Sequence, residues 1–338
     1  MFNSIHRGLA VTAIGLLLTT SSALAANGPA APIPSATPAQ RALLKDAIDI
    51  HTHLDPDSAG PHSAQAARRL DILEMAARAK RAGMRGFVIK QHYDQTAQLA
   101  YIVTKIGGVE AFGMVCMNLT IGGLNPEAVY HFAEVKGGRA RIVSMPTWDS
   151  ENNIKKSANP NRPFVPVSKN GELLPETKAV IAAVAAAKVR DTGATLTLAT
   201  GHVSAEEGLM VVREGRRQGI ERIIVTHAIG APVSMSMAQM QEAVKLGAYI
   251  EFVAGMTFAV GQRPPFTIQD YYDAIRALGP EHVILSSDGG QEGRVYPDDM
   301  IAIVAAGLRE KGLSMAELRA ITVENPAKLL GIPQPAKR

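Results

Sequence analysis

Beyond about residue 40 the chain alternates short apolar runs with longer stretches whose apolar positions recur at helical spacing. Eight runs read as strands: Ala47 to Ile50, Gly86 to Ile89, Ala111 to Met117, Ala140 to Met145, Thr195 to Ala199, Arg222 to Thr226, Ala248 to Phe252 and Val283 to Ser286. Between them lie amphipathic segments such as SAQAARRLDILEMAARAKRAG, with Leu70, Leu73 and Ala77 at core spacing, and PETKAVIAAVAAAKVRD. Ser204 followed by Glu207 forms a capping-box pattern, and Gly83, Gly219 and Gly247 stand where helices stop. Asn125 and Pro126 open another helix after the flexible IGG turn. Eight strand-then-helix cycles predict an α/β fold, a parallel (β/α)8 TIM barrel in a single domain, with an open doubly wound sheet as the alternative.

One connection departs from this rhythm. From Pro146 to Pro175 about 30 residues follow the fourth strand, so the barrel is expected to carry a long loop there. Within it FVPVSKNGELL places Asn-Gly between two apolar pairs, which predicts a small hairpin. Loops at this end of a barrel serve as lids or substrate-binding elements.

The first 25 residues add a different signal. Arg7, an apolar core from Leu9 to Leu18 and the small residues Ala23-Leu24-Ala25 have the layout of a secretory leader, too short to span a bilayer as an anchor. The expected organisation is a signal peptide over 1–25, a Pro- and Ala-rich linker over 26–40 and the barrel over 41–338, in an exported, periplasmic or secreted protein with no stable membrane anchor after cleavage. Cys116 is the one cysteine, so no internal disulfide can staple the fold. The net charge of +4 is small and scattered, which argues against nucleic acid and leaves a small molecule as the expected partner. A homo-oligomer is compatible with the sequence.

Barrels of this kind carry their chemistry where strands end, so the polar residues at those positions are the candidates. His51 and His53 end the first strand, Lys90 and His92 the second, His202 the fifth, His227 the sixth and Asp288 the eighth. Residues two apart on a strand share a face, so His51 and His53 can turn inward together while Thr52 turns away. With His202 and His227 they form a nitrogen-rich set suited to zinc or a similar divalent metal, and Asp288 can ligate or accept a proton. The other histidines are set aside: His6 in the leader, His62 and His131 in loop or helix, and His282 at the start of a strand on the opposite rim.

This order of residues, His-x-His after strand one, single histidines after strands five and six and Asp after strand eight, resembles the amidohydrolase superfamily of metal-dependent hydrolases. VENPAKLLGI, residues 323–332, is similar to the helix that closes many of its members. The resemblance implies one or two metal ions, with His51, His53, His202, His227 and Asp288 as ligands and Asp288 as proton acceptor. It departs at strand four, where binuclear members carry a carboxylated lysine or a glutamate and this chain reads SMPTWDS. Lys90 is the substitute, either carboxylated and bridging two metals, or cationic and paired with Asp288, a substrate anion or a developing oxyanion. His92 is assigned to substrate or leaving-group contact. Asp149 and Glu251 are lesser candidates, Glu251 because a carboxylate inside the apolar run AYIEFV needs a partner. The expected activity is hydrolysis of an amide, lactone or other ester. The alternatives are a one-metal lyase acting on a carboxylate substrate and a non-catalytic exported metal-binding protein.

Overall fold

In a computed structural model, which describes residues 33–58, 65–258 and 264–335, all eight apolar runs are strands of one parallel sheet. In chain order the strands are β1 (Ile48–Thr52), β2 (Gly86–Ile89), β3 (Glu110–Cys116), β4 (Ala140–Ser144), β5 (Ser168–Lys169), β6 (Glu172–Leu173), β7 (Thr197–Ala199), β8 (Ile223–Val225), β9 (Tyr249–Val253) and β10 (Val283–Ser286). The sheet runs β1-β2-β3-β4-β7-β8-β9-β10, with helices in the connections, which is the (β/α)8 barrel and excludes the open alternative. Its ends meet through a Thr52–Gly289 bridge and two backbone bonds, His53 N to Gly289 O at 2.8 Å and Asp288 N to His51 O at 3.0 Å. The Asp49 carboxylate fastens the same seam by accepting from the Ser287 amide at 3.0 Å.

The two faces of the strands bury different sets. Phe87, Ile89, Val115 and Val143 pack outward under the helices, while Ile48, Ile50, Val88, Phe112, Met114, Ile142 and Ile224 fill the barrel. Leu329 and Leu330, from the helix Asn325–Leu330, join the interior set, and Asn325 fixes this helix by donating to the carbonyls of Pro280 and Val283, both at 2.8 Å. The start of the strands is thereby closed by apolar side chains.

The long connection after β4 is ordered. Ser150 caps the short helix Glu151–Lys155, and β5 and β6 form the expected antiparallel hairpin, with Asn170 and Gly171 at φ 52° and 78° in its turn. Positive φ at both central residues is what a two-residue hairpin needs. Ser204 with Glu207, and Asn125 with Pro126, cap their helices as the sequence predicts.

Two expectations need correction. The helix expected from Ser63 begins at Ile72, where Asp71 and Glu74 build a capping box, and it buries Ile72, Met75, Ala76 and Ala79. Leu73 is 46% exposed, because the cap sets the helical phase and the preceding residues pair as extended chain instead. The fold also starts before residue 40: Ala36 is buried, Thr37 caps the helix Pro38–Ala42, and Ser35 donates to Asp299 at 3.1 Å. The leader expected over 1–25, and the linker up to residue 32, lie outside the described residues. Among the described residues, no helix is long and apolar enough to cross a membrane.

Candidate metal centre

A bulge places the first pair of histidines. The register of β1 on β2 shifts between Asp49 and Thr52, so the consecutive Ile50 and His51 both face the barrel interior and His51 still brings a donor atom to the same point as His53. A β-bulge re-aims side chains in this way and is common beside functional sites. Lys90 and His92 follow the inward-facing Val88 in unbroken alternation. His202 follows β7, while His227 and Asp288, each two residues past the end of β8 and β10, stand at φ 25° and 50°. Such left-handed backbone in a non-glycine residue costs on the order of 1–3 kcal/mol and tends to be kept at functional sites.

All five histidines meet in a closed circuit. Ring centroids are 5.3 Å apart for His51–His53, 4.9 Å for His53–His92, 5.8 Å for His92–His202, 4.7 Å for His202–His227 and 6.1 Å for His227–His51. Every one is buried. The donor atoms of His51, His53 and Asp288 lie within 4.8 Å of one another, and Asp288 Oδ1 is 3.1 Å from Nε2 of both histidines. His202 and His227 border the same cavity beside this trio.

The hydrogen bonds fix what each group can offer. Glu251, on β9, accepts from His51 Nδ1 at 3.0 Å, from Ser286 Oγ at 2.7 Å and from the His227 amide at 2.9 Å. With its Nδ1 proton directed at Glu251, His51 presents Nε2 to the cavity, the carboxylate-supported arrangement of a metal-binding histidine. Asn118 Nδ2 donates to Thr147 Oγ1 at 2.8 Å, and the Thr147 hydroxyl lies 2.9 Å from His92 Nδ1. With Asn118 donating to it, the Thr147 hydroxyl is free to donate its hydrogen bond to His92 Nδ1, the tautomer in which the Nε2 hydrogen faces outward.

The electrostatics are set by burial and by the carboxylates. Burial drives His53 down to about 3, His227 down to about 4, and His92 and His202 well below the usual imidazole range. On His51, burial and the Lys90 charge oppose protonation, but Asp288 and Glu251 outweigh them and raise it to about 9. Burial opposes ionisation of Asp288 and Glu251 too, yet His51 holds Asp288 well below the usual carboxylate range and Glu251 at about 2.

A divalent cation fits this set. Lys90 Nζ lies 2.8 Å from the same His51 Nε2 that contacts Asp288. One nitrogen cannot accept a hydrogen bond from Lys90 and donate one to Asp288 together, whereas a cation shared with Asp288 and His53 resolves the conflict. The Nδ1 atoms of His53, His202 and His227 are buried without a hydrogen-bond partner among the described residues. Buried imidazole nitrogens in that state are ordinarily met by a ligand, water or ion.

The sequence-predicted residues therefore come together, with adjustments. Among the described residues Lys90 makes no ion pair with Asp288; its partner is His51. Glu251, ranked as a lesser candidate, holds two elements of the centre, and its signal was the lone carboxylate in an apolar strand. Asp149 pairs with Arg162 at 2.8 Å and anchors the long loop. Asn118 and Thr147 went unnoticed, as their role depends on contacts between loops. His131 lies in the helix Pro126–Ala133 and His282 precedes β10, away from the centre, while His6 and His62 fall outside the described residues.

A model described as "Family of unknown function (DUF6282)" matches residues 46–251, and the chain belongs to that family. No curated protein matches. Among solved structures, one from "Molecular Engineering of Organophosphate Hydrolysis Activity from a Weak Promiscuous Lactonase Template" is 18% identical, with a TM-score of 0.56 over 86% of this chain and 97% of that one. The organophosphorus hydrolase from Deinococcus radiodurans is 16% identical, with a TM-score of 0.56 over 86% and 94%. An amidohydrolase from Pseudomonas aeruginosa is 12% identical, with a TM-score of 0.56 over 87% and 98%. These likenesses establish the shared TIM-barrel fold.

Proposed function

We propose that this protein is a metal-dependent hydrolase of small molecules, acting on an amide, lactone or other ester bond. The observation that carries the reading is the convergence of His51, His53 and Asp288 on one point, with Lys90 and Asp288 competing for the same His51 nitrogen. His51, His53 and Asp288 would hold the ion, with His202 and His227 completing the set, and zinc is the first candidate because the donors are mostly imidazole. A bound divalent ion supplies water activation near neutral pH and polarisation of the scissile carbonyl.

The chain's own groups supply the rest. Asp288, kept ionised, accepts the proton of the attacking water and passes it toward the leaving group. His92, neutral and oriented by Thr147, donates its Nε2 hydrogen to a substrate oxygen. Lys90, carboxylated, would add two oxygens for a second ion. As a cation it would favour the second reading, a one-metal lyase acting on a carboxylate, and its 2.8 Å contact with His51 Nε2 is what keeps that reading open. The exported, leader-cleaved form inferred from the sequence is part of the proposal.

Asp288→Asn is expected to abolish hydrolysis, about a thousandfold or more, while the melting transition persists, since the variant loses both a ligand and the proton acceptor. Activity retained in a folded Asp288→Asn protein would sink the assignment. Metal content per chain, with intact mass before and after mild acid, separates the two readings: two ions and an acid-labile carbon dioxide fit the hydrolase with carboxylated Lys90, and one ion with unmodified lysine fits the lyase.

A further inference from the structure

The cavity above the histidines measures about 250 Å³, and two arginines, Arg68 and Arg294, line it together with Trp148 and Gln291. They come from the loops after β1 and β10, which are tied into a short ladder. Arg69 N donates to Gly290 O at 2.7 Å, Glu292 N donates to Ala67 O at 2.8 Å, and Arg68 pairs with Gln291 in an antiparallel bridge. Gly290 makes the close approach possible: at φ 117°, a Cβ there would sit 1.8 Å from the carbonyl oxygen of His53. The Arg69 guanidinium also donates to the Arg294 carbonyl while stacking 3.6 Å above the Tyr296 ring, so the backbone carrying Arg294 is held.

The two cations differ in one respect. Arg68 is neutralised, donating through Nε to the Asp57 carboxylate at 2.8 Å. Arg294 has no ion pair and no side-chain hydrogen bond among the described residues, and the neighbouring Glu292 is exposed and pairs with neither arginine. The carboxylate lining the cavity, Asp288, is engaged by His51 and His53. Lys90 lies deeper in the same cavity against His51, so at the mouth the uncompensated charge is that of Arg294, a planar group suited to two parallel hydrogen bonds.

We infer that Arg294 is an oxyanion-recognising, specificity-determining residue, and that the substrate carries a carboxylate or phosphate group in addition to the bond that reacts. The inference rests on the reading of this cavity as the reactive site and names its substrate class. The anionic group docks at the mouth on Arg294 and presents the reacting bond to the histidines below. Arg68, saturated by Asp57, supports the wall.

Calorimetric titration of the metal-loaded full chain with glutarate, the neutral diketone heptane-2,6-dione, which has no hydrolysable bond, and inorganic phosphate tests this. The fluorescence of Trp148, the one tryptophan of the chain, reports entry into this cavity. An anion on an arginine is expected to bind more tightly than the neutral diketone, and R294A is expected to lower the anion-to-diketone affinity ratio by about tenfold to a hundredfold, with part recovered in R294K. Glutarate dependence on Arg294 assigns a carboxylate, and phosphate dependence assigns a phosphate. An unchanged ratio in folded R294A, or no anion binding in the wild type, overturns the inference. Because binding is read without turnover, Arg294-dependent binding without hydrolysis of mono-4-nitrophenyl glutarate would count against the hydrolase reading while leaving the anion site standing.

Discussion

The two ends of the barrel are built from the same strands and do opposite things with burial. At the start of the strands, Ile48, Phe112 and Ile284 pack against Leu329 and Leu330, and the buried Arg141 beside Phe112 turns its guanidinium to the carbonyls of Gly138 and Ala140. At the other end the same strands deliver five buried imidazoles, a lysine and a carboxylate, three of whose buried nitrogens have no partner among the described residues. His227 and Asp288 there adopt left-handed backbone. Interiors normally pair their polar groups, so an end that leaves them unpaired and strained is an end arranged for a ligand. The apolar end supplies the free energy that lets the other remain unsatisfied.

If that division holds, damage to one end should leave the other's property intact. Leu329→Ala removes a fully buried side chain from the plug, and a loss of about 2–5 kcal/mol in urea unfolding is expected, with metal content per folded chain unchanged. Metal lost in step with stability would show instead that the plug tunes the centre. Glu251→Gln is the reciprocal change. An amide cannot accept from His51, Ser286 and the His227 amide together, so metal affinity should drop about tenfold to a hundredfold in competition with a chelator. Unchanged affinity would mean that His51 is oriented by the bulge in β1 alone.

The same contrast explains what was legible in the sequence. All eight barrel strands were readable because a parallel strand buried on both faces is a continuous apolar run, as in GFVI at Gly86–Ile89. The centre was readable because strand ends are fixed points, so His51, His53, His202, His227 and Asp288 could be placed without contacts. Relations across loops were not. Arg294 gains its meaning from the ladder between residues 67–69 and 290–292, and the tautomer of His92 from Asn118 and Thr147, more than 25 positions away. Leu73 misled because helical spacing alone does not reveal which face a capping box will turn inward.

The smallest expected effect concerns the pair that steadies the approach to the plug. Arg276, on the helix Ile268–Leu278, donates to Glu317, which also closes a capping box with Ser314 at the start of the helix Met315–Arg319. The Arg276 hydrogen bond, followed by those of Ser314, lowers Glu317 from the ordinary 4.5 to about 2. A carboxylate depressed in the folded state stabilises above its unfolded value, and that stability drains away as pH falls from 4.5 through about 2. Both partners are partly exposed, so the contribution is small and weakened by salt. Glu317→Gln keeps a side chain able to close the box and removes the charge. Its melting temperature should fall slightly below wild type at pH 7, with the gap closing toward pH 2 and metal content at pH 7 unaltered. A gap that persists at pH 2 would trace the effect to the cap rather than to the ion pair.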